Sequence, residues 1–174
     1  MADFDPAFEK MIRNEGGYQL HKVSGDSGGL TFAGIARNYH SSWPGWALID
    51  RQEMDNPQLT TYVREFYQEN FWNRVKGEKI KQQAVAETLF DFAVNTGPGR
   101  ANKLAQIVIG VTPDGIIGPI SLKQLNAMDS DDFRTRYALA KVARYAAIVN
   151  RDRSQSKFLL GWINRTLKDL KEVA

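Results

Sequence analysis

A chain of 174 residues can build one packed core, or a core with a small appended lobe, and is too short for two full-sized domains. Its 43% hydrophobic and 25% charged fractions are those of a folded globular protein, and the absence of cysteine excludes disulfides, thiolate metal sites and a cysteine nucleophile. The net charge of +3 is unevenly spread: residues 1–128 hold 13 basic and 14 acidic side chains and residues 129–174 hold 10 and 6, which admits nucleic acid, acidic lipid or bacterial cell wall as an anionic partner.

In chain order, Asp5 caps a first predicted helix with Pro6 at its first position, and Phe4, Phe8, Met11 and Ile12 repeat at helical spacing until Gly16 and Gly17 stop it. Residues 18–35 lose that period, and short alternating pieces around Leu20 and around Leu30 to Ile35 predict a small hairpin or irregular lobe. "SWPGW" at 42–46 reads as a turn carrying two tryptophans at risk of exposure. Asn56 and Pro57 open a second strong helix, with Leu59, Tyr62, Val63, Phe66, Asn70 and Phe71 on one face. A helix over 83–94 and another through Ala101, Leu104, Ala105 and Val108 follow, separated by "NTGPG". "TPDGIIGP" at 112–119 is a tight loop, Pro119 starts a short helix, and two further helices are predicted over 131–151 and 157–172, the last with Leu160, Ile163, Leu167 and Leu170 in line.

The predicted fold is mainly α with a small β-hairpin or irregular lobe near the N-terminus. The N-terminal run MADFDPAFEKM has acids where a secretory signal needs bases, so no classical export signal is expected. "ALAKVARYAAIV" at 138–149 is interrupted by Lys141 and Arg144 and falls short of the roughly 20 residues of a membrane span. His21 and His40 would need carboxylates to complete a zinc site.

Chemistry concentrates at Glu15. A carboxylate in the last turn of a helix faces the negative end of the helix dipole, which favours the protonated form, and a glycosidase needs a protonated carboxyl to deliver a proton to a leaving oxygen. Gly16 and Gly17 leave room for a bulky polymer beside it. A solvated last-turn glutamate before a glycine stop is the plainer reading of the same residues. In "DSGGLT", glycines permit a turn that brings Asp26 and Thr31 to face Glu15, Asp26 to activate water or stabilise an oxocarbenium-like centre and Thr31 to hold that water; an ordinary turn residue and a strand residue are the alternatives. Asp91 and Asn95, four apart at the end of the 83–94 helix, are candidates to line a sugar groove, with Asn95 as a plain helix cap the alternative. Tyr18, Tyr39, Trp43, Trp46 and Trp72 are candidates to stack on sugar rings, Tyr18 foremost because it stands beside the acid.

"EGGY" at 15–18, "DSGGLTFAGIA" at 26–36, "FDFAVNTGPGRA" at 90–101 and "DGIIGP" at 114–119, in this order, resemble glycoside hydrolase family 108, phage endolysin-like N-acetylmuramidases. The resemblance runs from about residue 5 to about residue 170. It implies a lysozyme-like fold, a catalytic region over 1–103, and a helical, predicted peptidoglycan-binding region over 104–174 packed on it as one compact unit. It implies Glu15 as catalytic acid, with Glu15, Asp26 and Thr31 mapping onto the phage-lysozyme triad across a longer first gap. Asp26-Ser27-Gly28-Gly29 stands where the family commonly has Asp-Pro-Gly-Gly, a departure that bears on Asp26 more than on Glu15.

The function so implied is hydrolysis of the β-1,4 bond between N-acetylmuramic acid and N-acetylglucosamine in peptidoglycan, with no metal or organic cofactor. Peptidoglycan glycan strands are the expected partner of a monomeric enzyme. It is made in the cytoplasm, exported through a holin-like pore or a secretion system, and acts in the periplasm or outside the cell. The alternatives are a lytic transglycosylase and a non-catalytic protein that binds the wall or assists secretion. Arg134, Arg136, Lys141, Arg144, Arg151 and Arg153 raise a nucleic-acid binder as a further class, but no recognisable DNA- or RNA-binding motif accompanies them, and attraction to an anionic envelope accounts for them more economically.

Overall fold

A computed structural model describes residues 1–22 and 28–170. Helix α1 (Phe4–Asn14) begins two residues earlier than the Asp5–Pro6 pair suggested, because the Asp3 side chain, not that of Asp5, accepts from the Asp5 backbone N–H. Its apolar stripe of Phe4, Ala7, Phe8, Met11 and Ile12 is buried. Strands β1 (Leu20–Lys22), β2 (Leu30–Phe32) and β3 (Ile35–Ala36) form an antiparallel sheet in that order, with His21 opposite Thr31 and Thr31 opposite Ala36. The expected small lobe is therefore a three-stranded sheet. Its second turn holds Ala33 and Gly34 both at positive φ, +47° and +80°, the conformation that joins adjacent strands in two residues.

The "SWPGW" segment is a correction. It leads into a short helix, α2 (Gly45–Asp50), and both tryptophans are buried. Their indole N–H groups donate to the Tyr62 and His40 carbonyls, which lets the polar edge of each ring enter the core satisfied. Helix α3 (Pro57–Tyr67) has the Asn56 side chain as its cap, then continues through a wider turn at Gln68–Trp72 into α4 (Asn73–Val75). That turn carries Trp72 into the core, beyond the buried Tyr67 at the end of α3, while Asn70 stays exposed.

Helix α5 (Gln83–Thr96) is the axis of the molecule. It buries Val85, Ala86, Leu89, Phe90, Phe92 and Ala93, so nearly its whole circumference is apolar, as expected of a helix surrounded by others. On one side Phe90 meets Phe4 and Trp72 with ring centroids 5.9 and 5.6 Å apart; on another Phe92 meets Tyr137 at 5.7 Å. Gly97 alone separates α5 from α6 (Pro98–Val108). Buried Asn102 and Gln106 on α6 then hold the predicted tight loop through the Gly115 and Ile116 carbonyls, the Asp114 carboxylate and the Gly115 N–H. The chain ends its described course in α7 (Pro119–Ala127), α8 (Ser130–Arg151) and α9 (Ser156–Leu170).

The last two helices correct the reading of the basic residues. Lys141 and Arg134 are buried between α8 and α9, where Lys141 Nζ lies 3.2 Å from Asp169 Oδ2 and Arg134 donates to the Asp169 carbonyl at 2.5 Å. This packing selects Trp162, Thr166 and Asp169 as the inward face of α9, with the Tyr145 and Trp162 rings 5.2 Å apart. Leu160 and Leu167, expected in the inward line, are exposed. The result is the mainly α fold with a small β lobe near the N-terminus that the sequence led us to expect.

Candidate active site

Glu15 caps the C-terminal end of α1. Its N–H still bonds to the Met11 carbonyl at 3.0 Å, and the chain then reverses through Gly16 and Gly17 at φ +89° and +79°, with the Gly17 N–H returning to the Ile12 carbonyl. This reversal leaves the Glu15 side chain at the junction between the β lobe and the helical body, 24% exposed. The β2–β3 turn closes against it. A Cβ placed on Gly34 would lie 3.7 Å from Glu15 Oε2 and would overlap the Tyr67 hydroxyl, so glycine is required both by the positive φ and by the space. Tyr67 in turn donates to the Ala33 carbonyl at 2.8 Å and pins the strained turn in place. Burial, and then the nearby Glu15 charge, push the Tyr67 phenol above its ordinary value, so it serves as a neutral donor.

The helical body reaches Glu15 through Arg165. From α9, its Nη2 donates to Glu15 Oε1 at 2.7 Å, Nη1 donates to the Asn95 side-chain oxygen, and Nε stands 4.0 Å from Asp91 Oδ2. One guanidinium thus gathers a carboxylate from α1 and two polar residues from α5, using the fixed fork of donors that arginine offers. Burial works against the Arg165 charge, but Asp91 and Glu15 outweigh it and raise the guanidinium above its ordinary value. Burial pushes the Asp91 carboxyl upward, with Arg165 opposing, and Asp91 Oδ1 is buried with no hydrogen-bond partner. Glu15 Oε2 has no donor among the described residues. Arg165 and Asp91 also line two cavities, of about 250 and 290 Å³, on either side of this cluster.

Asp91 and Asn95 therefore stand with Glu15 in one constellation, Asn95 also donating from Nδ2 to the Asp91 carbonyl at 2.7 Å. Tyr18 is 41% exposed and its ring sits 6.4 Å from Phe32 of the β lobe. Thr31, in the middle strand, leads into the turn that presses on Glu15, and its hydroxyl is 3.5 Å from the Gly29 carbonyl. Asp26 lies outside the described residues. Of the other aromatics, Trp43, Trp46 and Trp72 belong to the core, whereas Tyr39 is 65% exposed. Arg165, Tyr67 and the turn contact of Gly34 carry no local mark: Arg165 is 150 residues from its partner. No group of three His, Asp or Glu arranged to hold a metal occurs among the described residues, nor is any described helix long and apolar enough to cross a membrane.

Comparison with known proteins agrees with this architecture. Residues 8–97 match the model of glycosyl hydrolase 108, and residues 100–167 match that of a predicted peptidoglycan domain. A structure of Brucella abortus SagA is 29% identical and superposes with a TM-score of 0.76, covering 97% of this chain and 92% of that chain. No curated protein matches.

Proposed function

We propose, from the premise that this chain belongs to the glycosyl hydrolase 108 family and acts as a glycosidase on peptidoglycan, that it is an N-acetylmuramidase with Glu15 as general acid. The observation that carries the reading is the partly exposed Glu15 carboxyl at the lobe junction, with one oxygen occupied by Arg165 and the other open beside Gly34. Oε1 is fixed by the guanidinium; Oε2 is the oxygen that carries the proton and delivers it to the glycosidic oxygen of the muramic acid to N-acetylglucosamine bond. A proton placed by a positioned carboxyl contributes about 10²–10⁴-fold to such a reaction. Asp26 activates the water or stabilises the oxocarbenium-like centre, and Thr31 holds that water. Tyr18, Asp91 and Asn95 border the glycan, Asp91 and Asn95 by keeping Arg165 aimed at Glu15.

In this reading residues 1–103 supply the cleavage chemistry and residues 104–174 hold the polymer, packed as one body. The enzyme is a monomer, released to the wall through a holin-like pore or a secretion system, and degrades it as an endolysin does. Digestion of purified peptidoglycan, followed by borohydride reduction and mass spectrometry, tests the bond and the chemistry. Reducing muramic acid ends support the muramidase; reducing N-acetylglucosamine ends refute the bond assignment. Ends in 1,6-anhydromuramic acid would instead identify a lytic transglycosylase, in which the sugar's own hydroxyl replaces water.

A further inference from the structure

Beside the Glu15 cluster, the cavity of about 250 Å³ between α5, α6, α8 and α9 is lined in part by Arg100, Arg144, Tyr145 and Trp162, which hydrolysis does not use. Three guanidiniums line it, from Arg100, Arg144 and Arg165, and Tyr145 and Trp162 supply an aromatic wall. Arg100 and Arg144 form no ion pair with a carboxylate among the described residues; Arg100 donates only to the Thr96 carbonyl, at 3.3 Å. The basic surface continues past Arg100 and Arg144 into a second cavity of about 470 Å³ that also takes in Ile148 and Arg151. The sole acid lining the first cavity is Asp91, whose Oδ1 is buried without a hydrogen-bond partner.

A ligand suited to these walls carries carboxylates for Arg100 and Arg144, Arg165 being engaged by Glu15 and Asn95, together with an amide or ammonium N–H for Asp91 and aliphatic stretches to lie on Tyr145 and Trp162. Phosphate polymers offer the anions and lack the donor. The place of the cavity narrows the source further, because Arg165 belongs both to its lining and to the Glu15 contact. Whatever fills the cavity lies one side chain away from the acid. We propose that this cavity and its extension along α8 bind the peptide stem of peptidoglycan, the carboxylate-bearing branch carried by the muramic acid whose glycosidic bond is presented to Glu15. The proposal rests on the peptidoglycan reading above and adds which part of the polymer the C-terminal helices recognise.

The test is calorimetric binding to the full-length protein of a soluble disaccharide bearing its tetrapeptide, of the same disaccharide without peptide, and of the free tetrapeptide. The wild-type protein is expected to prefer the peptide-bearing disaccharide by about tenfold or more, the loss of one charge-assisted contact being worth about that factor. The Arg100→Gln/Arg144→Gln variant is expected to lose the preference while melting at the wild-type temperature. Equal binding of the two disaccharides by wild type overturns the proposal, as does a folded double variant that keeps the preference. Displacement of the tetrapeptide by millimolar inorganic phosphate also overturns it, showing a site for anions in general. Cleavage of sacculi by wild type, measured separately, keeps the two readings apart. Discrimination without cleavage refutes the muramidase and leaves the peptide site standing, and cleavage without discrimination does the reverse.

Discussion

Gly34 is the position where the fold and the proposed chemistry press hardest on each other, and replacing it with alanine measures both. An alanine there must hold φ +80°, which costs about 1–2 kcal/mol for an L-residue. Its Cβ must also displace the Tyr67 hydroxyl, an overlap of the kind that costs about 1–3 kcal/mol in a packed interior. The expected loss for Gly34→Ala is therefore about 2–5 kcal/mol in urea unfolding at pH 7. Tyr67→Phe removes the overlapping oxygen but leaves the Ala33 carbonyl without its donor, for a loss of about 1 kcal/mol on its own. In the Tyr67→Phe background the Gly34→Ala cost should fall to the backbone part alone, so the double-mutant cycle should show a coupling of about 1 kcal/mol or more. Because the new methyl also stands 3.7 Å from Glu15 Oε2, wall cleavage should drop by about tenfold or more in protein that is still folded. A Gly34→Ala cost below about 0.5 kcal/mol, or one that is the same with and without the Tyr67 hydroxyl, would refute the packing argument.

Arg165→Met should leave a folded protein whose kcat on peptidoglycan falls by about 10²-fold with little change in KM, since the residue aims Glu15 and does not grip the polymer at the cut; Arg165→Lys, lacking the fork, should recover only a small part. A change confined to KM would place Arg165 in binding instead. Thr31→Ala is expected to lower cleavage at least about tenfold while the unfolding midpoint stays near that of wild type, and activity equal to wild type would remove Thr31 from the mechanism. Lys141→Met strands Asp169 in the α8–α9 interface and should cost about 3 kcal/mol in urea unfolding, whereas Lys141→Met/Asp169→Leu should regain most of it. Burial alone would raise the Asp169 carboxyl, but Lys141, the Thr88 hydroxyl and Lys10 hold it below its ordinary value. Its contribution is therefore present above the unfolded carboxylate range, near pH 3.9, and lost as pH falls through the lower folded value, so the gap between wild type and Lys141→Met should narrow at acid pH.

Local physics accounts for much of what the chain announces. The caps Asn56 and Pro57 and the stripes of α1, α3 and α5 depend only on neighbours a turn away, and these helices formed where the period placed them. Glu15 was legible because two glycines mark the helix end on which it sits. What stayed hidden depends on contacts distant in sequence. "SWPGW" carries turn residues and opens as a turn, but a Cβ at Gly45 would fall on the Trp43 ring, and tertiary packing leads the segment into a helix with both tryptophans buried. Lys141 and Arg134 read as surface charge because the residue that neutralises and receives them, Asp169, comes from another helix. The same pairing rotates α9 so that Leu160 and Leu167 face outward. Arg165 was invisible for this reason too: nothing in its own turn of helix speaks of Glu15.

The central claim is that Glu15 is the proton donor, and Glu15→Gln tests it most directly, because the amide keeps the size of the side chain and an oxygen for Arg165 while removing the acid. The measurement is the rate at which reducing muramic acid ends appear from purified peptidoglycan, for wild type and for Glu15→Gln matched in melting temperature. A fall of about 10²-fold or more in the variant is the predicted result. Equal rates of end formation from the two proteins would contradict the account and move the catalytic acid elsewhere in the molecule.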